Sequence, residues 1–187
     1  MRTILALTIA IPAALTAQSA ALDPPAAAMG GKDRVLGIRT LILEGTGTTL
    51  NVGQNLTPSA ETQFEITSYR RAIDFANRRW YLDVTRVPRF PVANAAPQRQ
   101  RWAIDGDIAF NVNNNGTQIR FGGSLVTERQ LDFLHHPVGF IQTAYAAGYT
   151  VSDSTGSGGA RRVVLEMPST RFAMLLDART HLPAQIE

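Results

Sequence analysis

Three histidines, His135, His136 and His181, are the side chains of this chain best suited to a metal ion. A zinc site asks for histidines three to five apart on one helix face, or for His-x-His on a strand, with carboxylates nearby. Adjacent residues on a helix point about 100° apart, so the His135–His136 pair does not converge on one ion, and His181 is remote in sequence. A helix terminus suits the pair better, because histidine favours the negative end of the dipole. Asp105 and Asp107 have acid/base spacing, but they flank Gly106, and Asp-Gly between apolar runs is a hairpin turn of type I′. The Gly-rich run at 156–159 lacks the Gly-Lys-Ser/Thr ending of a phosphate loop and opens no helix. No G-x-S-x-G occurs, and zero cysteines removes thiolate nucleophiles, disulfides and Cys zinc sites together. The sequence assigns no catalytic residue, no metal and no cofactor.

What remains is an apolar inventory. Phe64, Trp80, Trp102, Phe110, Phe121, Phe133, Phe140, Phe172 and Met174 fall on inward-type positions. They make either an ordinary core or the lining of a groove that a helix partly covers. The candidate ligand-contacting residues are Trp80, Trp102 and Phe110 on strands, with Leu134, Phe140, Ile141 and Tyr145 on the helical segment.

The elements that hold them follow from periodicity. Alternation predicts strands at Arg39–Gly45, Gln63–Arg70, Arg79–Arg86, Gln100–Ile104, Asp107–Val112, Thr117–Phe121, Tyr149–Ser152, Arg162–Met167, Arg171–Leu176 and from Leu182 onward. In Arg79–Arg86, Trp80, Leu82 and Val84 take the buried face, and Arg79, Tyr81, Asp83 and Thr85 the wet one. A short helix is expected to end near Gly37. Thr127, with Gln130 three residues on, predicts a capped helix start, and Pro137 a second helical turn that ends at Gly148. The prolines 88, 91 and 97 mark a loop or edge. These elements predict an antiparallel α+β domain whose strands surround one central helical segment.

Composition sets the compartment. Arg2, the apolar run Ile4–Leu15 and the small residues Ala17-Gln18-Ser19 and Ser19-Ala20-Ala21 predict a secretory signal peptide over 1–21. The run is too short for a membrane span of roughly 20 residues, and later apolar stretches are all broken by charge. A Pro/Ala linker is expected over 22–31 and one domain over 32–187, with a periplasmic or secreted location. The formal charge of +3 rests almost wholly on arginine, since Lys32 is the one lysine. The arginines are dispersed without aromatic interleaving. They predict a solvated sheet face and not a nucleic-acid surface. Glu187 falls inside an apparent strand, so truncation of a longer chain is expected.

The order of elements, together with "FAMLLDARTHLPAQIE", resembles the bacterial lipoprotein carriers LolA and LolB. In that family an unclosed barrel wraps a helical plug, and a strand ends in Asp-x-x-Thr followed by Leu-Pro. Asp177, Thr180, Leu182, Pro183, Ile186 and Glu187 match, and "GGKDRVLGIRTLILEGTG" is similar to the family's opening helix-to-strand join. The stretches "NVGQNLTP", "YRRAIDFANRRW" and "FLHHPVGFIQTAYAAG" resemble the domain that precedes metallo-β-lactamase-fold hydrolases in exported bacterial proteins. The hydrolase signature HxHxDH is absent. The resemblance implies an exported, non-catalytic domain that binds a lipid or acyl ligand or serves a hydrolase as an accessory. The alternative is the N-terminal fragment of a hydrolase whose metal centre, in a C-terminal domain, lies beyond Glu187. A third reading is an interaction domain that pairs through a free sheet edge.

Overall fold

The computed structural model describes residues 13–50, 63–90, 96–146, 148–156 and 160–187. The apolar run of the expected signal peptide as far as Pro12, the "NVGQNLTP" stretch, the middle of the proline loop and the end of the Gly/Ser-rich loop lie outside them. The chain forms two compact units, Ile38–Phe133 and the pairing of Met1–Gly37 with Leu134–Glu187.

The first unit is a six-stranded antiparallel meander in chain order: β1 Thr40–Leu50, β2 Gln63–Asp74, β3 Arg79–Pro88, β4 Gln98–Asp105, β5 Ile108–Val112 and β6 Gln118–Phe121. The sequence explains an irregularity in β2. Phe64 and Ile66 sit at even positions of β2, whereas Ile73 is odd, so simple alternation would put them on opposite faces. A β-bulge at Thr67, where β2 advances one residue more than β1 and β3, switches the parity. Phe64, Ile66, Arg71 and Ile73 thus share a face with Trp80, Leu82, Val84, Trp102 and Ile104. The predicted strand stops at Arg70; the strand itself runs on to Asp74.

One end of that face carries the unit's core. Ile73, Trp80, Ile104 and Phe133 are buried together, with Leu43, Phe75, Leu82, Trp102 and Val126 packed around them. The cover is α3, Ser124–Leu131, followed by a 3-10 turn, Asp132–His135. The helix begins three residues before the predicted Thr127 cap. Gly123 is its N-cap residue, and Gln130 reaches not its own helix start but the Gly106 carbonyl, at 3.1 Å. The hairpin there also differs from expectation. Asp105 pairs with Ile108, so Gly106 and Asp107 are the central residues. Gly106 alone has positive φ, at 60°, which is the type II′ pattern in place of type I′.

The second unit has a four-stranded antiparallel sheet in the order β10-β9-β8-β7, from β7 Thr150–Thr155, β8 Arg161–Glu166, β9 Arg171–Leu176 and β10 Pro183–Ile186. Val163, Val164 and Leu165 are all buried, as are Phe172, Ala173 and Met174, so neither face of the central strands is wet. With them are α1 Ala13–Ala28, α2 Lys32–Gly37 and α4 Pro137–Tyr145. Pro137 opens α4 as expected. Its N-cap is His136, whose Nδ1 accepts from the Val138 N–H at 3.2 Å. His136 therefore serves a helix N-terminus, the reverse of the expected negative end.

The stretch 22–28 is not a linker. It is the second half of α1, and Leu22 has no exposed surface. Alanine is the best helix former, which outweighs the two prolines here. Pro24 has no N–H to bond the Ala20 carbonyl, and Arg161 Nη2 takes that acceptor at 3.1 Å. Gly30 and Gly31, at φ 101° and 105°, end the helix.

The Asp-x-x-Thr turn has a physical basis. Asp177 Oδ1 accepts from the backbone N–H groups of Thr180 and Arg179 and from the Thr180 hydroxyl, while His181 supplies the positive φ. Hydrogen bonds from Thr180 come first in holding the Asp177 carboxyl below its ordinary 3.8. A carboxylate whose folded pKa is depressed stabilises the fold above the unfolded pKa and loses that contribution as pH falls through the folded one. Thermal unfolding of Asp177→Asn is therefore expected to depend less on pH than wild type below about pH 4. Parallel curves from pH 6 to 2.5 are the contrary result.

The α+β class, the antiparallel pairing and the absence of a closed barrel agree with the sequence reading. The strands divide between two sheets because helical residues 124–145 interrupt the meander after β6.

Candidate functional site

The six-stranded sheet turns its second face away from α3, and the site is built there. Cross-strand register places Ala72, Tyr81, Ala103, Phe110 and Arg120 in one row over β2 to β6. Small residues thus alternate with aromatic ones. Tyr81 on β3 and Phe110 on β5 stand on either side of Ala103 on β4. Neighbouring strands lie about 4.8 Å apart, so these two side chains are rooted roughly 9.6 Å apart. An alkyl chain or ring in contact on both sides needs about 7–8 Å between its walls. A pocket of about 270 Å³ occupies this place, bordered by Ala72, Tyr81, Ala103 and Phe110 with Asp74, Arg79 and Asp105 at one end. Tyr81 and Phe110 are half-buried and Ala103 is buried.

The arginines of this face are largely neutralised. Arg70 Nε meets Glu44 at 3.0 Å, Arg79 Nε meets Asp74 at 3.0 Å, and Arg99 grips Asp83 through two bonds of 2.9 and 2.5 Å. The hydrogen bond from Arg99, helped by the charges of Arg101 and Arg70, holds the Asp83 carboxyl below its usual value. Asn77 does the same for Asp74. The dispersed arginines thus form the solvated face that the composition predicts, with an apolar slot set into it.

On the opposite face two arginines are buried, contrary to the solvated role expected of them. Arg71 Nη2 meets Asp132 Oδ2 at 2.9 Å, and its guanidinium lies 4.8 Å from the Trp80 ring centre. Arg129 donates to the carbonyls of Ala103 and Phe110 and to Asn111 Oδ1, at 2.9, 2.7 and 2.5 Å. Trp80 Nε1 donates to the Arg129 carbonyl at 3.0 Å. These bonds fasten α3 and the 3-10 turn to the sheet. Adjacent residues of a strand point to opposite faces, so the Arg70-Arg71 pair had to send one arginine inward.

The structure divides the seven candidate residues. Trp80 is buried beneath α3 and Trp102 half-buried on the same face, whereas Phe110 lies on the other. Pairing sets Phe110 opposite Ala103, the residue after Trp102, so the two aromatics cannot share a surface. Leu134, Phe140 and Ile141 are core residues of the second unit, the last two with no exposed surface. Tyr145 binds α4 to its neighbours: its hydroxyl donates to Asp23 at 2.9 Å, and Lys32 Nζ lies 4.3 Å from the ring centre. Burial, then the bond to Asp23, push that phenol up to about 12. Of the seven, Phe110 and Trp80 border the slot, and strand alternation turns the Trp80 side chain to the other face. Tyr81, Ala72 and Ala103 escape a reading by residue type, because two alanines and a tyrosine on the wet parity carry no motif. The usable signal is an aromatic–small–aromatic row across three strands, legible only once the register is known.

Comparison with protein-family models, with curated proteins and with solved structures finds no match for this chain.

Proposed function

We propose that this chain is an exported, non-catalytic domain that binds the apolar part of a lipid or acyl ligand. The observation that carries the reading is the slot between Tyr81 and Phe110, an apolar recess on a sheet face otherwise covered by ion pairs. Apolar surface left among charges favours a ligand that removes it from water. A fluorescent fatty-acid probe is expected to bind with micromolar affinity, about 8 kcal/mol. Ala103→Leu, which fills the slot from its floor, is expected to weaken that affinity at least tenfold. Unchanged binding by a folded Ala103→Leu protein counts against the slot.

The likeness of "YRRAIDFANRRW" and "FLHHPVGFIQTAYAAG" to the domain ahead of exported metallo-β-lactamase-fold hydrolases supports the alternative, an accessory to a C-terminal hydrolase domain. A downstream HxHxDH in the full reading frame tests it.

Export to the periplasm or beyond has its own test. Of the two cleavage points, the one after Ala21 removes a buried residue and leaves a charged amino group on Leu22, which is wholly buried. The one after Ser19 leaves the amino group on exposed Ala20. Burying an ammonium group without a partner is costly, so N-terminal sequencing of the exported protein is expected to begin at Ala20. A sequence that begins at Met1 contradicts export by cleavage.

A further inference from the structure

We propose that the slot takes an anionic amphiphile, its alkyl part between Tyr81 and Phe110 and its acidic head on Arg101. The inference rests on the apolar-ligand reading and names the ligand class for the same site.

Side chains two apart on a strand share a face, and their Cα atoms are separated by about 6.7 Å. Arg101 therefore follows Ala103, the slot's floor, along the same face of β4, one step from the alkyl walls. A second cavity of about 410 Å³ opens there. Arg99, Arg101, Val112, Asn113 and Asn114 are among the residues that border it; Trp102 and Asn111 border it too, though register sets their side chains on the opposite face. It forms where β5 ends at Val112 while β4 continues to Gln98. Slot and cavity are consecutive along one strand, the first apolar and the second rich in N–H donors.

Of the two guanidiniums that border this cavity, Arg101 is the one in direct contact with no carboxylate among the described residues. Arg70, Arg79 and Arg99 each hold a carboxylate, whereas Arg101 donates to the neutral carbonyl of Asn113. Its Nε is buried and meets no acceptor among the described residues. A buried donor left unpaired carries a desolvation cost that an incoming oxygen relieves. A carboxylate is a good fit, since guanidinium and carboxylate match in shape and charge. A phosphate monoester presents the same chemistry. At the slot's other end stand Asp74, paired to Arg79, and Asp105, so a cationic head is the competing arrangement.

Three ligands with the same chain separate these possibilities: decanoate, decanol and decylamine, titrated into the full chain by calorimetry. Decanoate is expected to bind at least tenfold more tightly than decanol. In Arg101→Gln the two affinities should converge by loss of decanoate binding, with decanol unchanged, and Arg101→Lys should restore part of the difference. Decyl phosphate, included as a fourth ligand, distinguishes a phosphate head from a carboxylate one. The wild-type preference should also shrink as salt rises, since the charge contact is partly solvent-exposed; this readout needs no variant to fold. Equal affinity for decanoate and decanol overturns the assignment to Arg101 and leaves the slot standing. Tightest binding of decylamine overturns it in favour of the Asp105 end. Absence of saturable binding by any of the ligands to folded protein overturns the apolar-ligand reading itself, and this one with it.

Discussion

Ile104→Asp is expected to abolish the cooperative unfolding transition of the six-stranded unit, with a loss of more than about 4 kcal/mol. Ile104 is 1 % exposed and packs with Ile73, Trp80 and Phe133. An aspartate there either stays ionised without a partner or takes up a proton far above its normal pKa, and both are costly. Ala103 next to it offers no relief, since its side chain opens onto the opposite face. The control is Tyr81→Asp. Tyr81 is half-buried on the slot face beside solvated ion pairs, and its replacement should stay within about 1 kcal/mol of wild type while it removes ligand binding. Chemical denaturation followed by tryptophan fluorescence reads both variants, because Trp80 reports on the core side directly. Equal midpoints for the two show that the faces are assigned wrongly.

Arg129→Met comes next in size, with an expected loss of about 3 kcal/mol. Methionine fills much of the volume but bonds to none of the three oxygens that Arg129 satisfies. The Asn111 amide and the carbonyls of Ala103 and Phe110 then lose a charged donor inside the protein. Burial draws the guanidinium pKa down, and Glu128 and Asp132 oppose that shift, but arginine stays protonated in proteins, so the charge persists across the accessible pH range. Arg129→Lys should recover only part of the loss, because one ammonium group cannot span three acceptors set around a planar fork. A urea midpoint for Arg129→Met within error of wild type contradicts the fastening of α3 by this residue.

The strands were legible in the sequence wherever one face is buried and the other solvated. Arg79–Arg86 is the clearest case, with Trp80 and Val84 inward against Arg79, Tyr81 and Asp83. The reading failed where one residue reset the period. The bulge at Thr67 ends the apparent alternation of β2, and Arg71 and Ile73 drop out of the predicted strand though both belong to the core face. Composition misled at Leu22–Ala28, where alanine's helix preference and an acceptor met by Arg161 overcome two prolines. Buried arginine was invisible, because residue type alone assigns arginine to solvent and the partners of Arg71 and Arg129 lie tens of residues away. The candidate site was legible only in fragments. Phe110 could be named as an aromatic, but its neighbours across the sheet are fixed by hairpin register. An assumed I′ turn at Asp105-Gly106, in place of the II′ turn at Gly106-Asp107, shifts the pairing and breaks up the row that makes the slot.

The central claim is that an alkyl ligand lies between Tyr81 and Phe110. Intermolecular nuclear Overhauser effects between decanoate chain protons and the protein test it most directly. The account predicts cross-peaks to the Tyr81 and Phe110 rings and to the Ala103 methyl, with none to Phe140 or Ile141. Cross-peaks confined to Trp80, Leu82 and Trp102, or to the helix residues of the second unit, would contradict it.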